Sequence, residues 1–275
     1  GAFPRSESGR VAPVKDLTDR SGGKALAYAA QASRKDLRDA VEAARAAQEK
    51  WAASSGYLRG QIIYRLAELL DGRREELIEA VRMSGRVGKS KARTEVEVAI
   101  DRTLSFAGWC DKLDSVVGGR NAVAGPFHCF SQIEATGVVA VFAPEEFPLI
   151  GFLTLALPAI ACGCSVIAMP SSVEPIPALI VAECAPSADI PPGVLNVLTG
   201  LREELVPVVA AHRDVDAVVA SVDPEMAKIL QLGVAENLKR VRLVDPQAKF
   251  LEDLAWSSPS AFQAVTEVKT VWHTV

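Results

Sequence analysis

Three turns in the middle of this 275-residue chain hold the residues best suited to chemistry. Glu145 and Glu146 stand side by side between Pro144 and Phe147-Pro148. Met169-Pro170-Ser171 closes an apolar run, and Ser221-Val222-Asp223 leads into Pro224-Glu225. Clustered carboxylates suit Mg²⁺ or Ca²⁺, so Glu145, Glu146 and Asp223 would form a cation site if they converged. Solvated carboxylates are the plainer reading, because Asp and Glu are mostly exposed. Asp223 has a further use. It is a good helix N-cap, with Pro224 as the first helical residue.

The remaining reactive side chains do not assemble into a site. Cys110, Cys129, Cys162, Cys164 and Cys184 are scattered and odd in number, which predicts reduced, buried thiols in a cytoplasmic protein. Cys162-Gly163-Cys164 has one intervening residue, where zinc and thioredoxin-like pairs use two. His128 and Cys129 are neighbours. On a strand they point to opposite faces and cannot act as a nucleophile–base pair. His212 and His273 read as surface residues. No catalytic residue and no metal site are expected.

Apolar residues make up 49% of the chain and the net charge is −4. Lys and Arg are spread throughout, which disfavours nucleic acid and anionic membranes as partners. No charged residue occurs from Phe147 to Val173. Pro148, Pro158 and Gly163 divide that run, so it reads as a buried helix followed by a buried strand rather than a membrane span. The chain starts at Gly1 without an initiator Met or a charged-then-apolar leader. That start suggests a domain cut from a longer polypeptide.

The elements that must position the three turns alternate. The first thirty residues are polar and turn-rich, with Ser8-Gly9, Pro13 and Gly22-Gly23. Ser33-Arg34-Lys35-Asp36 predicts a helix cap, and Leu37, Val41, Ala44 and Trp51 share one helical face. A second helix is expected from about Leu58 to Met83, with Gly72 as a possible bend. Arg73-Arg74-Glu75-Glu76 reads as its solvated face. A third helix covers roughly Thr94 to Leu113. Residues 116–134 read as two strands with tight turns. Strands are expected at 137–142, 165–169, 194–198, 216–221 and 239–244, with helices near 150–161, 174–184, 202–211 and 224–236. Short apolar strands separated by helices predict a doubly wound, Rossmann-like parallel sheet. The fold class is therefore α/β, with an N-terminal helical layer and a small β-flap. Phe262–Val275 has strand propensity and should complete the flap with the 116–134 hairpin.

GVVAVFAPEEFPL (137–149), PPGVLNVLTG (191–200), AHRDVDAVVAS (211–221), NLKRV (237–241) and TEVKTVW (266–272) resemble, in order and spacing, the aldehyde dehydrogenase superfamily. The chain looks most like the non-catalytic C-terminal pseudo-dehydrogenase unit of two-unit, family-16 aldehyde dehydrogenases. A similar unit at the C-terminus of some bifunctional proline-utilisation enzymes is the near alternative. Between Lys249 and Ser260 there is almost nothing where the family carries its catalytic domain and nucleophilic cysteine.

The resemblance also assigns roles that this chain departs from. The family's Pro-Trp-Asn-Phe-Pro loop supplies an oxyanion donor through its Asn. Here Glu146 stands in that place, and an ionised carboxylate accepts hydrogen bonds but cannot donate them. The family's Lys-Pro-Ser bonds the adenosine ribose through Lys, and here the residue is Met169, followed by Pro170 and Ser171. The family's Phe-Thr-Gly-Ser seats the pyrophosphate on a helix N-terminus. Here Ala220-Ser221-Val222-Asp223 aligns with it, and Asp223, Pro224 and Glu225 all oppose a diphosphate. The general-base motif Glu-Leu-Gly-Gly-Lys falls on Val244 to Ala248.

Together these make Glu145, Glu146, Met169, Ser171, Ser221, Val222 and Asp223 a degenerate cofactor cleft, with no cofactor expected and NAD(P) bound only if that cleft still binds. The expected organisation is a degenerate NAD-binding domain over 1–115 and 135–252, with the flap over 116–134 and 260–275. The expected role is structural. The flap would dock onto itself in a homo-oligomer such as a dimer, or onto an aldehyde dehydrogenase catalytic unit. The alternatives are a regulatory NAD(P)-binding module, or part of an NAD-dependent aldehyde dehydrogenase whose catalytic residues lie in another unit.

Overall fold

The computed structural model describes residues 3–18, 25–252 and 254–275. It opens with an antiparallel pair, β1 (Val11–Lys15) and β2 (Ala25–Ala30). The expected Gly22-Gly23 turn lies outside the described residues. Helix α1 (Arg34–Ala52) starts where Ser33 and Asp36 form a reciprocal capping box. Burial alone would raise the Asp36 carboxyl. The N–H and O–H groups of Ser33, Ser6 and Glu7 outweigh it and hold Asp36 down at about 2.

The expected second helix is two helices, α2 (Gly56–Gly72) and α3 (Arg74–Arg82), which meet at Arg73. Arg73 leaves helical geometry and pairs with Glu76 at 2.6 Å and with Glu183 at 2.8 Å. The Arg73–Glu76 run is therefore a joint between helices, and its Glu75 and Glu76 stand exposed, as the solvated-face reading expects. Helix α4 (Lys89–Trp109) begins five residues earlier than the Thr94 expected from its sequence. A short α5 (Leu113–Val116) follows it.

Five parallel strands form the central sheet. They are β5 (Val138–Phe142), β6 (Ser165–Met169), β7 (Leu195–Val197), β8 (Ala217–Ala220) and β9 (Arg240–Leu243), in the order β7-β6-β5-β8-β9. The connecting helices are α6 (Ile150–Ala161), α7 (Ile176–Ser187), α8 (Arg202–Ala211) and α9 (Pro224–Gly233). Strand side chains alternate between the two faces. Val139 and Val141 enter the core shared with α2, α3, α4, α6 and α7. Val138, Ala140 and Phe142 enter the core shared with α1 and α8. Each fully buried Val, Leu or Phe contributes about 1.5–3 kcal/mol relative to exposure. The uncharged run from Phe147 to Val173 is accounted for by α6 and β6. Among the described residues no helix is long and apolar enough to cross a membrane.

A separate three-stranded antiparallel sheet has the order β10-β4-β3, built from β3 (Gly119–Asn121), β4 (Phe127–Ala135) and β10 (Thr266–Thr274). All nine residues of β10 pair with β4, from Thr266↔Ala135 to Thr274↔Phe127. The connection from β9 back to β10 includes α10 (Ser260–Gln263) and packs its aromatic rings against the loop after β5 and against α4. Phe250 stacks on Trp256 at 4.9 Å and meets Phe147 at 5.6 Å. Phe262 meets Phe106 edge-on at 5.7 Å.

Candidate functional site

In a parallel sheet all strands end at one edge, and the order reversal between β5 and β8 leaves a crevice there. The three turns singled out from the sequence leave the carboxyl ends of β5, β6 and β8, so the fold brings them together. Met169, Ser221 and Val222 are buried. Met169 packs in the core beneath the crevice and presents no polar group to it. Ser221 N donates to Phe142 O at 2.9 Å, which continues the ladder past the strand end. The Ser221 hydroxyl is buried and makes no hydrogen bond among the described residues.

Glu145 departs from the expectation of a solvated carboxylate. Its Oε2 accepts from Ser171 Oγ at 2.7 Å and from Ser172 N at 2.9 Å. Its Oε1 accepts from Ser172 Oγ at 2.8 Å and lies 2.7 Å from Nε of Arg202, as an ion pair. Glu146, one residue on, is exposed and borders a hollow of about 270 Å³ with Phe147 and Lys249. The two carboxylates therefore have different surroundings, Glu145 against Ser171 and Ser172 and Glu146 against the hollow. Among the described residues no group of three His, Cys, Asp or Glu side chains could hold a metal ion. The oxygens of Glu145 are already taken by donors of the chain itself.

Asp223 caps α9 as its sequence implies. The backbone before the helix is extended, and Met226 N donates to Asp223 Oδ1 at 2.9 Å. Pro224 follows with no N–H, and Glu225 adds a second negative charge to the first turn. Helix N-termini favour anions because of their free N–H groups and dipole. Here the chain provides the anion itself.

Two residues at this edge were not singled out from the sequence. Arg202 is the first residue of α8 and is 5% exposed. Its guanidinium donates to Ser221 O at 3.0 Å and also to Ala143 O, with a longer contact to Pro170 O at 3.5 Å. Burial lowers its pKa, and the charges of Glu145, Glu203 and Asp223 oppose that. A signal was available, because a cation at a helix start opposes the macrodipole and needs a tertiary reason to be there. Glu95 lies in the buried stripe of α4 and accepts from Leu149 N at 3.0 Å and Ile150 N at 3.2 Å, at the start of α6. Burial pushes its carboxyl up to about 7; those two N–H groups and Arg86 work against the rise, and Glu174 adds to it. A lone carboxylate among Ala92, Val96 and Ala99 was the signal there.

The cysteines are all free and buried. Burial raises the thiols of Cys110, to about 12, and of Cys164, to about 11. His128 is exposed and Cys129 buried, on opposite faces of β4. His273 is exposed. His212 is half-buried rather than on the surface, and burial lowers its pKa.

Residues 8–244 match the model of the aldehyde dehydrogenase family. Retinal dehydrogenase 2 of Mus musculus is 30% identical over 96% of this chain and 52% of its own length. The mitochondrial benzaldehyde dehydrogenase of Antirrhinum majus is 32% identical over 88% of this chain and 45% of its own. The crystal structure of PnpE from Pseudomonas sp. WBC-3 superposes with a TM-score of 0.83 at 27% identity, covering 88% of this chain and 49% of that one. Betaine aldehyde dehydrogenase from Staphylococcus aureus, solved in complex with NAD⁺, shares the fold at a TM-score of 0.83 and 22% identity, over 89% of this chain and 48% of that one. The chain spans about half the length of the curated relatives it matches. With a matching family model over residues 8–244 and a relative 30% identical over 96% of the chain's length, the chain belongs to the aldehyde dehydrogenase family.

Proposed function

We propose that this chain is a non-catalytic aldehyde-dehydrogenase-like unit with a role in assembly. It resembles the pseudo-dehydrogenase unit of family-16 aldehyde dehydrogenases, and its flap docks onto a second copy or onto a catalytic unit. Residues 1–115 and 135–252 form the degenerate nucleotide domain of that reading, and 116–134 with 260–275 form the docking element. The unit is cytoplasmic, in keeping with five buried, unpaired thiols.

The observation that carries the reading is the ribbon of β10 and β4. Among the described residues β10 pairs with β4 alone, so its other edge offers a row of backbone donors and acceptors. A long strand edge of that kind is a template for pairing with another chain. Val268 is 60% exposed and Trp272 59% exposed on the same strand. A small ribbon with so little buried surface gains stability by packing against something else. At the crevice the self-capped Asp223, Pro224 and Glu225 leave no free anion site for a diphosphate, which argues for no bound cofactor.

Truncating the chain before Thr266 tests the flap. The expected outcome by light scattering is a lower oligomeric mass, or aggregation through the bared edge of β4. A truncated chain of unchanged mass and solubility ends this reading. Calorimetric titration with NAD⁺ should show no binding tighter than about 100 μM, or about −5.5 kcal/mol. Tighter binding would favour a regulatory nucleotide module, and turnover of an aldehyde with NAD⁺ by the chain alone would remove the non-catalytic reading.

A further inference from the structure

The crevice at the order reversal has an occupant made by the chain. The carbonyls of Ala143 and Ser221 follow β5 and β8, the two strands that flank the reversal. Arg202 donates to both, at 3.0 Å to Ser221 O, and its guanidinium lies 3.5 Å from Pro170 O beyond β6. A guanidinium has five donors in a planar fork, so one side chain can bridge several carbonyls.

The arrangement is set from both sides. Gly200, at φ +156°, turns the chain closely under Ala32, where a Cβ would come within 3.0 Å of Ala32 N. Arg202 follows two residues later. Glu145 Oε1 sits 2.7 Å from Arg202 Nε as an ion pair without hydrogen-bond geometry, and Ser171 and Ser172 hold Glu145.

We propose that the Arg202 side chain, aimed by Glu145, is the group that bars a dinucleotide from this crevice. The proposal rests on the reading that the chain does not bind NAD⁺, and it names the atoms responsible. A ligand entering between β5 and β8 must displace Arg202. That leaves two strand-end carbonyls without donors beside a buried guanidinium, a costly loss, and Glu145, a third of it exposed, without its counter-ion. The Asp223 carboxylate is a second occupant of the same edge, over the start of α9.

The experiment uses the full chain and NAD⁺ in calorimetric titration. Three proteins are compared: the natural chain, Arg202→Gly, and Arg202→Gly combined with Asp223→Gly. The expected result is no binding by the natural chain and at least a tenfold gain in affinity in the double variant. A folded double variant that binds no better than the natural chain overturns the assignment to Arg202 and leaves the non-binding reading standing. Binding by the natural chain overturns both. Because Arg202→Gly can compromise folding, Arg202→Lys is measured in parallel by hydrogen exchange. Lys keeps the charge but lacks the planar fork that reaches Ser221 O, Ala143 O and Glu145 together, so the amides of Ser172 and Val173, which face Glu145, should exchange at least tenfold faster. Unchanged protection there means that Glu145 and Arg202 do not hold each other in place, and the proposal fails.

Discussion

The crevice and the flap handle unpaired polar groups in opposite ways. At the crevice the strand-end carbonyls of Ala143 and Ser221 are bonded by Arg202. The N-terminus of α9 is bonded by Asp223, and that of α6 by Glu95. At the flap the outer edge of β10 carries a nine-residue row of backbone groups, beside the exposed Val268 and Trp272. The difference is one of geometry. A few acceptors that converge at the mouth of a sheet can be satisfied by one forked side chain. A strand edge repeats every two residues along its length and is satisfied only by another strand. Among the described residues, backbone groups are bonded at the mouth of the crevice and left without a strand partner along the outer edge of β10.

Substitutions on the two sides should differ accordingly. Arg202→Ala should cost the most, about 3 kcal/mol, because removing one partner of a buried pair strands the other along with the bonded carbonyls. Urea denaturation measures it. A loss below about 0.5 kcal/mol would mean that the crevice is not closed by this contact.

Glu95→Gln sharpens the same side through pH. The folded carboxyl titrates near 7 and the unfolded one near about 4.3. Between those values the folded chain binds more protons, so stability falls as pH rises through the window. Glutamine cannot titrate but still offers an oxygen to Leu149 N and Ile150 N. The stability of the variant relative to the natural chain should therefore rise by about 1–3 kcal/mol between pH 4.5 and pH 8. A difference that is flat with pH would show that Glu95 is not the titrating group.

Asp223→Ala removes a helix cap and should cost about 1 kcal/mol in thermal or urea melts. The smallest effect belongs to the flap. Val268→Ser with Trp272→Ser should change the unfolding free energy of the isolated chain by less than about 0.5 kcal/mol, since both side chains are exposed, while lowering the associated mass in light scattering. If that pair destabilises the chain as much as Arg202→Ala, the two regions do not differ as described.

Much of this architecture was legible in the residues. The capping box at Ser33, the five sheet strands and the self-cap at Asp223 follow from local rules: alternation, helical periodicity and cap chemistry. The break at Arg73 was legible only as a bend at Gly72, a poor helix residue; the ion pairs to Glu76 and Glu183 that accompany it include one from a distant helix. Glu145 was read as solvated because its partners Ser171, Ser172 and Arg202 are remote in sequence.

The sequence by itself determined which segments become strands and helices, and which turns meet at one edge, because hydrophobic period and cap residues act within a few positions of each other. Tertiary structure alone decided that Arg202 lies across the ends of β5 and β8, that Glu95 turns inward beneath α6, and that β10 returns to pair with β4 along its full length. Those outcomes depend on the desolvation of groups 19 to 147 residues apart, and burial of that kind exists only once the layers have packed.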